Sequence, residues 1–423
     1  MSVQPIKKQL NLKEVPIKNH ENVFPKSEHF FRLPVMFYHT IGLDPYESSS
    51  SEDKPGVMFH IYFLWHMINM MFVVFMEILF VIISFRNKDN FLVSCIQMGC
   101  IGFVFASLGK VISVMYQKKK MSNLVKELDS MFPRPRQKEQ EQYNVNKYLK
   151  SSNRYNKTFV MVYVILVAIN SMFELFEYII LWLMNSPNAE PTMPYVELAP
   201  WDYNEGWKFF LTYMSQAIAG YTATCGHISA DLMIFAVTMQ AIMHFDRLSR
   251  ALKELQVREA SGFKGGADES LRELQTLIAY HNKILGLTDV INVVFGIPLL
   301  MNFVACSMLV CFVGLQMTVG ISSGYFGKLL VTLVAPTVEI YLLCSISQML
   351  IDASKGVSLA VYEMNWPEAD SRFRKMLIFV AVRAQKPVCL KATIFLDLSI
   401  ETMSMFLGMT YKFFCAIRTL CLH

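Results

Sequence analysis

Four sets of polar residues sit inside long apolar runs, where a charge is costly and needs a partner, water or a function. His227 and Asp231 are four residues apart and share one helix face. They could ligate a metal, but two ligands do not make a site; a hydrogen-bonded pair inside the bundle is the reading taken. Glu174 and Glu177, three apart, face either a ligand cavity or a polar network, with the network favoured. Lys110 lies near the inner end of its apolar run, so its ammonium is expected to snorkel to the interface. Asp397, Glu401, Ser404, Gly408, Tyr411, Cys415 and Arg418 follow one another at steps of three or four, along one helix face. Such a stripe either lines water or packs on neighbouring helices, and spacing does not choose between them. In the first case Asp397 and Glu401 would concentrate cations at its inner end. No GxSxG, GxxxxGK[ST] or HExxH sequence occurs. The nine cysteines form no CxxC pair, so neither a zinc site nor a disulfide framework is signalled. Nothing marks an enzyme, a cofactor or a nucleic-acid partner.

The elements carrying these residues are membrane spans. Of 423 residues, 53% are hydrophobic and 17% charged, with 32 Phe and 28 Met; soluble domains carry about 25% charged residues. Runs of about 20 apolar residues cross a bilayer as helices. Seven are present: Val57–Ser84, Phe91–Met115, Phe159–Met184, Phe209–Ala241, Val290–Met317, Phe326–Ile351 and Thr393–Ile417. The fourth is too long for one crossing, so its lower end through Asp231 to His244 should project into the cytoplasm. Gly296-Ile297-Pro298 should kink the fifth, because proline removes a backbone donor. Residues 1–56 read as a cytoplasmic tail without a cleaved signal, leaving the first span to act as the targeting signal. Leu255–Leu271 reads as a mobile turn containing Gly265-Gly266. Met376–Lys391 reads as a cytoplasmic helix feeding the last span.

Lysine and arginine set the orientation. With the N-terminus inside, the cytoplasmic segments hold 7, 11, 7 and 7 of them and the exterior segments 2, 1, 1 and 2. Seven crossings then put the C-terminus outside. The fold class is therefore an all-α membrane protein of seven helices, inverted relative to G-protein-coupled receptors. Those receptors are further disfavoured by the lack of Asn-Pro-x-x-Tyr in the last span. A transporter would show broken helices in repeated halves, and no repeat is found. The sequon Asn156-Lys157-Thr158 falls on the cytoplasmic side and should carry no glycan.

Tyr362, Trp366, Arg383, Gln385, Lys386-Pro387, Phe395 and Tyr411, in this order, resemble the C-terminal signature of insect odorant receptors. Upstream, Pro200-Trp201, Ala219-Gly220-Tyr221, Met243-His244-Phe245-Asp246, Phe295 to Leu300 and Cys311 to Gly314 resemble stretches of fly members. The sister gustatory receptors end in Thr-Tyr, five apolar residues and Gln-Phe. Here Lys412 interrupts the apolar run and Ile417-Arg418 stand at the Gln-Phe positions, which favours the odorant branch over a gustatory-type channel. The long insertion of the family's co-receptor is absent from Ile242–Asp289, so the chain resembles an odour-tuning subunit.

The resemblance implies a ligand-gated, non-selective cation channel in the plasma membrane, at dendrites or cilia of olfactory sensory neurons. Tuning and co-receptor subunits would form a hetero-oligomer, a tetramer around one pore. Residues 57–351 would be the six-helix ligand-binding bundle and 352–391 the inter-subunit anchor, with Tyr362, Trp366, Arg383, Gln385 and Pro387 in it. Residues 392–423 would hold the pore helix and a short extracellular tail, with Asp397, Glu401, Ser404, Tyr411, Phe414 and Arg418 along the pore. The family's apolar gate falls at Phe414 and Arg418, and the arginine departs from it. A small volatile ligand offers mostly apolar area, at about 25 cal/mol per Å² buried. The outer halves of spans two to four supply candidates to receive it: Met98, Phe103, Phe173, Phe176, Tyr213, Gln216 and Tyr221.

Overall fold

The computed structural model describes residues 24–47, 56–87, 91–184, 193–195, 198, 201, 206–257, 264–319 and 323–422. Eleven helices account for most of them. They are α1 (Glu28–Thr40), α2 (Val57–Asn87), α3 (Phe91–Tyr116), α4 (Lys118–Met131), α5 (Gln137–Gln142), α6 (Val145–Leu183), α7 (Gly206–Glu254), α8 (Lys264–Val319), α9 (Ser323–Glu363), α10 (Ser371–Ala384) and α11 (Ile400–Leu422). A hairpin of two short strands, β1 (Lys391–Ala392) and β2 (Leu396–Asp397), precedes α11.

Six of these helices (α2, α3, α6, α7, α8 and α9) are long and apolar enough to cross a membrane. Their outer faces carry apolar side chains: α2 exposes Ile61, Leu64, Ile68, Phe75 and Ile82 while burying Met70, Val73 and Val74. Only a lipid solvent leaves such a face at no cost. α11 has 23 residues, about 34 Å at 1.5 Å per residue, enough for a core of roughly 30 Å. It carries three charged residues, Glu401, Lys412 and Arg418.

α7 is the axis of the bundle. Every residue from Thr222 to Phe245 is buried, and α1, α2, α3, α6, α8 and α9 pack around it. At 49 residues it runs far beyond one bilayer thickness, as its length in the sequence requires.

Two expectations change here. The N-terminal segment is not wholly a tail. α1 buries Phe30, Phe31 and Tyr38 against α7, and Ser27 donates to Gln240 at 3.2 Å. Gly42, at φ 77°, then turns the chain where a Cβ would sit 2.8 Å from the Phe59 carbonyl and the Phe63 nitrogen. The expected turn at Leu255–Leu271 is shorter than read: α8 begins at Lys264 and takes in Gly265-Gly266, while residues 258–263 lie outside the described ones. Pro298 lies inside the helical range of α8.

The last span starts at Ile400, not Thr393. The segment before it folds as the hairpin, which explains why Met376–Lys391 is only partly helix. Asn292 of α8 brackets β1, donating to the Cys389 carbonyl and accepting from Lys391 N, both at 3.0 Å. Gly296, one turn on, leaves room for this approach: a Cβ there would lie 3.3 Å from Thr393 N. Ser347 of α9 holds both ends of the hairpin, accepting from Leu390 N at 3.0 Å and donating to the Leu398 carbonyl at 2.7 Å. Ser399 then caps α11 by accepting from Thr402 N at 3.2 Å.

Candidate functional site

Between α2, α3, α6, α7, α8 and α9 lies a cavity of about 80 Å³. Its walls are mainly apolar, with Met70, Val73, Phe103, Leu166, Ala219 and Leu309 among them. Glu77, Cys100, Asn170, Tyr195, Thr224 and Thr332 add polar atoms. Few polar groups in an apolar enclosure are what a small-molecule site requires. Tyr195 comes from the segment between α6 and α7 and is seated by its backbone N–H, which donates to Gln216 Oε1 at 3.1 Å. Its hydroxyl lies where a methyl group on Gly220 would stand.

Phe103 closes the cavity on one side and touches a second feature on the other. Its ring lies 4.5 Å from that of His227 and is stacked on Tyr163 at 6.3 Å. Behind it is a fully buried charge cluster. Lys110 of α3 donates to Asp231 of α7 at 2.6 Å and to Glu339 of α9 at 3.4 Å, and all three side chains are closed to solvent. His227 Nε2 is 2.8 Å from Glu339 Oε1. Tyr163 of α6 and Asn302 of α8 also donate to Glu339, and Cys306 Sγ lies 3.8 Å from it. One carboxylate on α9 thus gathers donors from four other helices, which is how a buried charge is made tolerable.

This overturns the snorkelling of Lys110, whose ammonium is a partner inside the bundle. His227, Asp231 and Glu339 present ligand atoms within 4.8 Å of one another, a spacing compatible with a metal. The Lys110 ammonium stands among them, so the position a cation would take is filled by a tethered one. His227 and Asp231 do share the cluster inside the bundle, but not as a hydrogen-bonded pair: they stand 3.9 Å apart, and each bonds a residue of another helix instead, Glu339 and Lys110, which sequence spacing could not supply.

The model of the 7tm odorant receptor family matches residues 90–411. The chain belongs to the odorant receptor family. It is 46% identical to Odorant receptor 67a of Drosophila melanogaster over 97% of this chain and 99% of that one. It is 35% identical to Odorant receptor 85c of the same fly, over 92% and 99%. The fold is similar to that of the olfactory receptor OR5 of Machilis hrabei in complex with eugenol, with TM-score 0.74, 13% identity and coverage of 92% and 97%. This odorant receptor is thus a multi-pass membrane protein of seven spans with the N-terminus cytoplasmic and the C-terminus outside, and it is an odorant-binding receptor subunit.

Of the residues expected to bind the odorant, Phe103 lines the cavity. Gln216 is buried behind Tyr195 and positions it. Tyr213 is buried and donates to the Ser171 carbonyl, tying α7 to α6. Met98 is half-buried away from the cavity lining. Phe176 is 60% exposed and Tyr221 39%, both on outer surfaces of the bundle. The side chains of Phe173, Glu174 and Glu177 lie outside the described residues. Glu77 and Asn170, missed in the sequence, carried a signal in being polar within otherwise apolar helices. Tyr195 carried none, since it sits in a connecting segment.

In the last helix, Glu401, Ser404, Gly408, Tyr411 and Arg418 share an exposed face, while Thr402, Met403, Phe406 and Thr410 are buried against α8 and α9. Phe414 is half-buried, near Gly314 of α8. Asp397 leaves this stripe: it is in β2, 3.6 Å from Lys391, because the hairpin breaks the helical register before Ser399. On the cytoplasmic side, Tyr362, Trp366 and Gln385 line a groove of about 950 Å³ with Ile378. Arg383 bonds the Lys386 carbonyl at 3.2 Å, and Pro387 is exposed beside it.

Proposed function

We propose that this odorant receptor is the tuning subunit of a ligand-gated, non-selective cation channel assembled with a co-receptor. The odorant occupies the cavity walled by Phe103 and Tyr195. The observation that carries the reading is the unbroken physical connection from that cavity to the last helix. Phe103 presses on His227 and Tyr163, and both meet Glu339 on α9. Two turns further along α9, Ser347 grips the hairpin from which α11 starts. An odorant that shifts Phe103 changes the surroundings of Glu339. A movement of α9 then reaches α11 through Ser347. Occupancy opens the channel only if the open state binds the odorant more tightly, since equal affinity shifts nothing.

In this reading the exposed face of α11 borders the pore. Glu401 draws cations at the inner end, and Arg418 stands where the gate would otherwise be apolar, leaving the seal to other subunits. The groove around Tyr362 and Trp366, with exposed Phe379 and Val382 on α10, is the inter-subunit anchor. Apolar surface of this kind outside the lipid calls for a protein partner. The working site is the plasma membrane of olfactory dendrites or cilia, in a tetramer with the co-receptor. The test is to express the chain with a co-receptor and record currents under a panel of volatiles. Odour-evoked cation currents that persist when G-protein signalling is blocked are expected; no current, or current lost under that block, overturns the reading.

A further inference from the structure

The inner half of α6 has two opposite faces, and the outward one changes chemistry at the membrane boundary. Tyr148, Ser152, Asn156, Phe159 and Tyr163 are buried against the bundle. On the opposite side Lys147, Lys150, Arg154 and Lys157 are all exposed. At about 100° per residue these four fall within about 80° of arc. The same arc continues as Met161, Val164, Ile165 and Met172, all exposed and apolar, a surface that belongs against lipid. The cations therefore stand on the lipid-facing side of the helix, at and below the cytoplasmic boundary. No acidic residue occurs from Val145 to Met172. Among the described residues no carboxylate forms an ion pair with any of the four. Lys147 rests over the Tyr148 ring at 5.4 Å.

The sidedness of lysine and arginine puts cations on this side of the membrane, but not on one helix face. The depth of the stripe narrows what can meet it. From Lys147 to Lys157 the helix rises about 15 Å, whereas the headgroup zone of one leaflet is roughly 5–8 Å deep. A headgroup with a single phosphate meets the upper cations and leaves Lys147 and Lys150 in water. An inositol ring with further phosphates projects towards the cytoplasm and reaches both levels. We infer that this stripe holds a polyphosphoinositide of the cytoplasmic leaflet, its phosphates on Lys147, Lys150, Arg154 and Lys157 and its acyl chains along Met161, Val164 and Ile165. Basic groups beside a span attract such lipids, and phosphate forms charge-assisted hydrogen bonds with both lysine and arginine.

The probe is fluorescent dioctanoyl phosphatidylinositol bisphosphate, titrated onto the purified full chain in neutral detergent. Dioctanoyl phosphatidylserine and free inositol trisphosphate are the competitors. The bisphosphate lipid is expected to bind at least tenfold more tightly than either. Lys147→Gln with Lys150→Gln, and separately Arg154→Gln with Lys157→Gln, should each weaken it about tenfold with the melting temperature kept. Lys147→Arg with Lys150→Arg should retain binding. Lys119→Gln with Lys120→Gln removes the same charge from exposed positions on α4 and should change binding less than twofold. Should a glutamine pair fail to fold, the competition on the unaltered chain still decides. No binding of the bisphosphate lipid, or phosphatidylserine binding as tightly, overturns the inference. So does inositol trisphosphate binding as tightly, which would mean a site for a soluble anion. An α4 pair that loses as much as the α6 pairs overturns it too, since the attraction would then be diffuse charge.

Discussion

A lysine sealed from solvent beside two carboxylates is stable only while its partners remain. Lys110→Met leaves Asp231 without its counter-charge and both carboxylates in one enclosure. The expected loss is about 3–5 kcal/mol, read as a lower melting temperature of the detergent-purified protein. Lys110→Met with Asp231→Leu removes the charge and its partner together and should recover most of that loss, because the desolvation cost goes too. A double variant no more stable than the single one would mean that the pair is not what holds these helices. At the roof of the cavity, Gly220→Ala places a methyl group on the Tyr195 hydroxyl. It should raise the odorant concentration needed for half-maximal current by tenfold or more while surface expression is kept. Lys110 was misread for a definable reason. Position along one helix gives the distance to the interface, but the partners at 2.6 and 3.4 Å come from residues 121 and 229 positions away.

In the proposed gating route, the shortest elements carry the coupling. The hairpin has two residue pairs, Lys391 with Asp397 and Ala392 with Leu396, and would not stand alone. Its stability comes from α8 and α9 through Asn292 and Ser347. Ser347→Ala leaves a buried N–H and a buried carbonyl without their side-chain partner, each costing about 1–3 kcal/mol. Odour binding, measured by melting shift, should persist in this variant while the maximal current falls. Loss of binding and current together would place Ser347 in general folding instead. The long helices were legible because apolar runs of 20 or more residues leave no other structure in lipid. The hairpin was not legible, since its strands are two residues long and carry no alternation to detect. For the same reason Asp397 was placed on a helix face that begins only after Ser399.

Across the whole molecule, orientation and assembly make separate predictions. An epitope tag at the N-terminus should be reached by antibody only after permeabilisation, and one at the C-terminus on intact cells. Asn156 is buried in α6, so its sequon should carry no glycan whichever side it faces; a glycan there would contradict both topology and packing. On the cytoplasmic face, Ile378→Asp puts a charge into the groove beside Tyr362 and Trp366 without touching the bundle core. It should reduce co-purification with the co-receptor while leaving the odour-induced melting shift of the isolated chain in place.

Taken by itself, the sequence determined the number of spans, their orientation and the family, because bilayer thickness and the sidedness of lysine and arginine act on local composition. It also marked which helices carry polar residues that need an explanation. Only the tertiary structure decided what those residues meet. Phe103 became a wall shared by the cavity and the charge cluster, Phe176 an outer surface, and Lys110 the partner of Asp231 and Glu339. These are relations between helices far apart in the chain, and neither hydropathy nor spacing encodes which faces will oppose each other until the bundle has packed.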